Sequence, residues 1–407
     1  MILAILANAC GRQDAADFFG VTWYSPSEAE GFEIVGTEGG ESRVIRVKTA
    51  WQGDGNGQDG IRTSTSSGKE LFIARNGESP PGGFGGRILD GNAERIAVTS
   101  SSHIAFLDLI GEVRRVKAVS GIRYISNAYI RGHRDSIADI GYEAGADFEA
   151  LAAAKPDIVL LYGISSSNAM EDRLRILGIP YLYIGEYLET SPLGKAEWVV
   201  AIAELLGCRE KGEEAYRKIA SEYDKLKSSV PENAGKPEVM LNSPYGDTWF
   251  MASPESAMVS LIRDAGGEYI LGNRHSRGGR DSGSGISASG QWKSSSIDFE
   301  EAFLLTSEAD VWLNVGQYRS IGQLTAAYPQ LAGVKCVKDG KVYSCDRRST
   351  EGGGSDFWES GTVRPDLVLE DLIRILHPEL RIPGGSGQDT DCTDDESLHY
   401  YRRLDSY

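Results

Sequence analysis

Residues 155–162 read Lys-Pro-Asp-Ile-Val-Leu-Leu-Tyr, and no other stretch restricts the fold as much. The apolar run after the proline is too short for a helix and shows no polar–apolar alternation. Such a strand is buried on both faces, which places it inside a parallel sheet covered by helices above and below. Its surroundings agree. Ile96-Ala-Val and Val116–Val119 are short apolar strands, and between them Ser100–Ile110 is a helix that begins on serines and stops at Gly111. Phe148–Ala154 is a short helix ended by Pro156, Arg173–Leu177 is helical, and Tyr181-Leu-Tyr-Ile is the next strand. Strand–helix alternation makes residues 93–190 one α/β lobe.

A helical connector, residues 191–230, follows. Lys195–Leu206 carries Trp198, Val199, Ile202, Leu205 and Leu206 on one face, and Glu213–Ser228 carries Ala215, Ile219, Tyr223 and Leu226 in register. Alternation resumes in residues 231–383. Strands are expected at Val239–Leu241, Trp249-Phe-Met and Val311-Trp-Leu, and helices at Ser256–Ala265, Phe299–Leu305, Ile321–Ala327 and Leu367–Leu376. Lys335–Cys345 reads as a hairpin turning at Asp339-Gly340. Trp198 and Trp312 sit in apolar patterns and belong to the core. The expected fold class is α/β: two α/β lobes joined by one long helical connector, with a ligand cleft between the lobes where the strands end.

The two ends read differently. Residues 20–92 form a β-rich extension in which Phe32-Glu-Ile-Val and Val44-Ile-Arg-Val-Lys alternate like strands. Its Gly53-Asp-Gly-Asn-Gly-Gln-Asp-Gly run lacks the glutamate that closes a calcium loop, so it reads as structural turns. Residues 384–407 are Gly/Ser-rich and acidic, a solvated tail. In residues 1–19, Met1-Ile-Leu-Ala-Ile-Leu-Ala-Asn-Ala before Cys10 reads as the end of a lipoprotein signal, with Cys10 acylated and Gly11–Phe19 a tether. A buried first strand is the competing reading, since a basic n-region is missing. The lipoprotein reading puts the protein in the periplasm or cell envelope, touching the membrane through a lipid anchor only.

Acidic residues outnumber basic ones 59 to 42, for a net charge of −17. Such a surface repels phosphate backbones, and no basic patch offsets it, so nucleic acid is not an expected partner. Five scattered histidines and the absence of C-x-x-C speak against a metal site or a resident cofactor. His133, in a Gly-His-Arg loop, reads as structural rather than as an iron ligand. Cys336 and Cys345 sit diagonally across the expected hairpin, about 7–8 Å apart, which favours two free thiols over a disulfide. G-x-S-x-G, H-E-x-x-H and G-x-x-x-x-G-K-[ST] are all missing. An enzyme is therefore the weaker class, and the alternative it leaves is a chelatase-like or metallocluster-handling protein on a related two-lobe scaffold.

Arg95–Gly121, together with Ala138-Asp-Ile-Gly-Tyr-Glu-Ala-Gly-Ala-Asp-Phe-Glu-Ala-Leu-Ala-Ala-Ala-Lys-Pro-Asp-Ile-Val-Leu, resembles the class III periplasmic substrate-binding proteins of ABC importers. The resemblance continues through Leu177-Gly-Ile-Pro, Asp298–Asp310 and Gly352–Leu380, while Gly354-Ser-Asp-Phe-Trp-Glu-Ser-Gly and Tyr400-Tyr-Arg-Arg-Leu look like a lipid-anchored subgroup. It implies a monomeric binding protein that captures a small metal-chelate ligand (a ferric siderophore, haem or a cobalamin) and delivers it to an ABC permease dimer with its ATPase. It also implies two permease-docking carboxylates, Glu149 and Glu300, with Glu301 a competing choice. The extension before residue 93 departs from simpler members.

Loops that follow strands supply the cleft candidates. The first lobe offers Tyr124, Arg134, Tyr142 and Tyr162. The second offers Tyr245, Trp249, Trp292 and Tyr318, with Gln317 and Arg319 beside them. Arg347, Arg348 and Trp358 come from a late loop. Aromatic faces suit a flat macrocycle or a catecholate, and arginines suit carboxylates or anionic chelates.

Overall fold

The computed structural model describes residues 19–50, 69–142, 145–163, 169–271, 296–382 and 397–406. Cys10, Trp292 and the Gly53 run lie outside the described residues.

The described residues begin with a sheet in the order β1 (Val21–Tyr24), β2 (Phe32–Gly36), β3 (Arg43–Val47), β4 (Glu70–Ala74), β5 (Arg87–Asp90). The first four are antiparallel and β5 runs parallel to β4. Side chains alternate across it. Phe32, Ile34, Ile45, Val47, Leu71 and Ile73 enter the main core, while Val35, Val44 and Phe72 form a small cluster with Phe19 on the other face. The extension thus shares its core with the lobe that follows.

That lobe runs β6 (Ile96–Val98), α1 (Ser101–Leu109), β7 (Val116–Val119), α2 (Ala128–Gly132), β8 (Ala138–Asp139), α3 (Phe148–Ala154), β9 (Ile158–Tyr162), α4 (Ala169–Leu177), β10 (Tyr181–Ile184). All five strands are parallel, in the order β10-β9-β6-β7-β8. Ile158, Val159, Leu160 and Leu161 are fully buried, as a strand covered on both faces requires. Lys155 ends α3 in the left-handed region at φ 46°, just before Pro156.

The connector is two helices rather than one rod. α5 (Pro192–Leu205) and α6 (Arg209–Ser229) pack back on each other through a turn at Gly207, whose φ is +71°. Trp198 is fully buried, and α5 is buried on nearly every side, not on one face as its spacing implies. The extension packs against α5 and shares its core.

The second lobe has a parallel sheet in the order β14 (Glu268–Tyr269), β11 (Glu238–Leu241), β16 (Val311–Leu313). An antiparallel sheet of β12 (Pro244–Tyr245), β13 (Thr248–Phe250) and β15 (Ser296–Asp298) stands beside it. Its helices are α7 (Ala257–Asp264), α8 (Phe299–Thr306), α9 (Ile321–Ala327), α10 (Lys335–Lys338), α11 (Ser360–Val363) and α12 (Pro365–Leu376).

Two expectations are corrected. Lys335–Cys345 is not a hairpin: its first half is α10, and β17 (Tyr343–Ser344) pairs antiparallel with β18 (Arg402–Arg403), far along the chain. The tail is not wholly solvated either. Asp371 accepts hydrogen bonds from the backbone N–H of His399, Tyr400 and Tyr401 at 2.7, 2.7 and 3.2 Å, and both tyrosines are buried. Cys336 and Cys345 are free thiols, pushed up to about 12 by burial.

Candidate ligand-binding site

In the first lobe the chain leaves β6 toward β7 and β8, then crosses to β9 and β10 on the other side. Open α/β sheets bind ligands outside the carboxyl ends of their strands near such a reversal. Tyr124 ends a 3-10 turn (Ile122–Tyr124) after β7, and Tyr142 follows β8. Their rings lie 5.9 Å apart at 58°. Asp139 ties the two loops together, accepting from the N–H of Gly121 at 2.9 Å, Ile122 at 3.2 Å and Gly141 at 3.1 Å. Gly121 has φ +64°, and a Cβ there would lie 2.2 Å from the Tyr142 hydroxyl, so only glycine lets the rings approach. The Arg123 guanidinium sits 4.6 Å from the Tyr124 ring centre and donates to its hydroxyl. Tyr142 is 57% exposed.

Two other candidates of this lobe stand apart. Arg134 is exposed in a turn leading into β8 rather than out of it. Tyr162 is half-buried against Tyr187, with ring centres 4.4 Å apart, and burial pushes its phenol up to about 12.

In the second lobe Trp249 is a correction. It is fully buried, donates from Nε1 to the Leu241 carbonyl at 3.0 Å, and packs on Trp312 at 5.2 Å and on Phe299 at 6.4 Å. It is a pillar of the core, with no surface left to offer a ligand. Strand alternation turns its neighbours the other way. Tyr245, paired with Thr248 across the hairpin, is 82% exposed, and Phe250 is 51% exposed. Tyr318 is half-buried beside Tyr328, whose hydroxyl donates to the Pro244 carbonyl at 3.2 Å. Arg348 pairs with Asp356 at 3.1 Å and lies over the Tyr400 ring, so it braces the late loop. Arg347 is exposed, and Trp358 is 61% exposed.

The late loop reaches the first lobe. A Cβ on Gly354 would lie 1.8 Å from the Tyr124 carbonyl oxygen, and one on Gly352 would lie 2.5 Å from that of Arg123. Beyond them Glu359 Oε2 accepts from the Ser126 N–H at 2.8 Å and its hydroxyl at 3.0 Å. Burial pushes the Glu359 carboxyl up to about 7, against the pull of these donors. Arg123, Phe250 and Glu359 were missed from the sequence. The period of two along Thr248–Phe250 signals Phe250, and the glycines at 352–354 signal a close backbone approach.

Among the described residues no carboxylate pairs with Arg123, Arg134 or Arg319, and no three His, Cys, Asp or Glu side chains gather to hold a metal ion. Glu149 and Glu300 are both exposed in the second position of their helices, α3 and α8. Glu301 is half-buried and engaged.

The profile described as periplasmic binding protein matches residues 96–349, more than half of the chain. The chain belongs to the periplasmic binding protein family. An uncharacterized lipoprotein of Methanocaldococcus jannaschii, MJ0878, is 24% identical over 328 residues, covering 76% of this chain and 73% of the relative. Among solved structures, a possible iron-binding (periplasmic solute-binding) protein of Staphylococcus epidermidis is similar with a TM-score of 0.51 at 15% identity, covering 70% of this chain and 99% of that one. The periplasmic heme-binding protein HutB of Vibrio cholerae is similar with a TM-score of 0.50 at 15% identity, covering 68% and 99%. These likenesses establish a two-lobe fold. No helix among the described residues is long and apolar enough to cross a membrane.

Proposed function

We propose that the protein is the extracytoplasmic solute-binding component of an ABC importer and captures an anionic metal chelate, a ferric siderophore or haem, between its lobes. One observation carries the reading. At the strand ends of the first lobe, Tyr124 and Tyr142 stand beside Arg123, which no described carboxylate neutralises, in a chain of net charge −17. Flat aromatic faces with a guanidinium match a flat or catecholate chelate bearing negative groups. The exposed aromatics Tyr245 and Phe250 supply the second lobe's share. A cobalamin fits the aromatic faces and makes less use of the arginine.

The partners in this reading are a permease dimer with its ATPase, engaged through Glu149 and Glu300. Each carboxylate is exposed and can take an arginine in a bidentate pair. Lipidation at Cys10 holds the protein at the membrane surface.

Titration of the purified protein with haem, ferric siderophores and cobalamin, followed by tryptophan fluorescence, tests the reading. A saturable response to an anionic chelate that weakens at least tenfold in Arg123→Ala is expected. No response to any of them overturns it.

A further inference from the structure

The extension lays chain over the first lobe where two strands end in glycine, and hydrogen bonds anchor it. Gly163 follows β9 directly, and a Cβ there would lie 2.4 Å from the Ala50 carbonyl oxygen. Gly185 follows β10 directly, and a Cβ there would lie 2.8 Å from the Thr49 carbonyl oxygen. The residues that follow β6, β7 and β8 are Thr99, Ser120 and Ile140, which carry side chains. Glycine therefore occurs where the Thr49–Ala50 segment crosses, and Ala50 is fully buried there.

We propose that the N-terminal sheet is part of the ligand-binding apparatus: through Thr49 and Ala50 it covers the ends of β9 and β10 and confines the ligand to the ends of β6, β7 and β8. This rests on the solute-binding reading given above.

The covering segment is held by a continuous chain of hydrogen bonds. Glu189 accepts from the N–H of Glu30 at 3.0 Å and Gly31 at 2.9 Å, and from Trp198 Nε1 at 2.8 Å. The Gly31 carbonyl in turn accepts from the Lys48 N–H at 2.7 Å, next to Thr49. The connector thus fixes the segment. Beneath it the protein closes that end with its own groups: Tyr162 packs on Tyr187, whose hydroxyl donates to the Gly163 carbonyl. Tyr124 and Tyr142 follow β7 and β8, on the other side of β6 from β9 and β10, where the late loop rather than the Thr49–Ala50 segment comes close.

Hydroxyl-radical footprinting of the full chain, with and without haem or a ferric catecholate, tests the proposal in wild type, Gly163→Ala, Gly185→Ala and the control Gly235→Ala, where a Cβ meets open space. In wild type the chelate should protect Tyr124 and Tyr142 and leave Tyr162 and Tyr187 at their unliganded labelling. Without chelate, the first two variants should raise Tyr162 and Tyr187 labelling several-fold, with Tyr318 and the control unchanged. Protection of Tyr162 equal to that of Tyr124 overturns the proposal, as does unchanged Tyr162 labelling in both variants. If no chelate protects any tyrosine, the solute-binding reading falls and the ligand half of the proposal with it, while the glycine variants still decide whether the segment covers the strand ends. The wild-type footprint needs no variant, so the test holds even if an alanine variant fails to fold.

Discussion

Glu359 and Ser126 lie 233 positions apart in the chain, yet one carboxylate oxygen of the first takes both the N–H and the hydroxyl of the second. This contact pins the late loop of the second lobe to the loop that carries Tyr124. It is buried, and Asp356, facing it from the same loop, adds negative charge.

The Glu359 contact should make stability fall as pH rises. Burial raises its carboxyl from the ordinary value of 4.5 to about 7, so the folded protein holds the proton more tightly than the unfolded chain does. The contribution is complete below about pH 4.5 and is lost as pH climbs through 7. At ~1.4 kcal/mol per pH unit the difference is about 3 kcal/mol. Denaturant titrations at pH 4 and pH 8 should show Glu359→Gln, which keeps a neutral acceptor for Ser126, close to wild type at pH 4 and more stable at pH 8. A variant no better than wild type at pH 8 refutes the account.

Glu197, fully buried on α5, accepts from the Tyr24 hydroxyl at 2.7 Å, the Ser27 N–H at 2.8 Å and hydroxyl at 3.0 Å, and the N–H of Glu28 at 2.7 Å and Ala29 at 2.8 Å. Glu197→Ala leaves these donors without their shared acceptor, the Ala29 N–H in a buried position and the others in part-buried ones. Since a buried donor left without a partner costs about 1–3 kcal/mol and water can reach the part-buried ones, a loss of about 1–3 kcal/mol is expected. Limited proteolysis should cut first between residues 19 and 50 in the variant, because the extension loses its anchor before the parallel sheet does.

How far the sequence carries the structure depends on the range of the contacts. Trp198 is placed correctly from its helical spacing alone, because the pattern and the burial share one element. Ile158–Tyr162 is likewise read correctly as a strand sealed on both faces. Lys335–Cys345 is misread because β17 finds its partner in Arg402–Arg403, a pairing that nothing in the local pattern encodes. The acidic run before Tyr400 hides a buried clasp for a similar reason: Asp371, on α12, supplies the acceptor. Tyr124 and Tyr142 were legible as residues that follow strands, and they do follow β7 and β8. Trp249 was not, since choosing between it and Phe250 needs the phase of a three-residue strand, which Trp312 and Phe299 set from elsewhere in the fold.

That phase has measurable consequences. Trp249→Ala empties a core position between two aromatic rings and should cost about 3–5 kcal/mol in urea unfolding. Tyr245→Ala removes an exposed ring and should change stability by under about 0.5 kcal/mol while weakening chelate binding severalfold. Reversal of this order, with Tyr245→Ala the more destabilising, would contradict the core assignment of Trp249.

Capture and delivery should separate by mutation at Glu149 and Glu300. Both are exposed in the first turns of α3 and α8. A carboxylate in a first helical turn is favoured by the helix dipole, so charge reversal there costs at most about 1 kcal/mol of stability. Its larger effect falls on a partner arginine, where attraction becomes repulsion and the bidentate pair is lost. With the permease and its ATPase reconstituted in vesicles, Glu149→Arg and Glu300→Arg should each cut binding-protein-stimulated ATP hydrolysis at least tenfold, with chelate affinity within twofold of wild type. Glu301→Arg serves as the contrast, because that side chain is already engaged within the protein and its replacement should disturb folding before docking. Stimulation that survives both reversals would remove these two carboxylates from the docking surface and leave the chelate-binding reading standing.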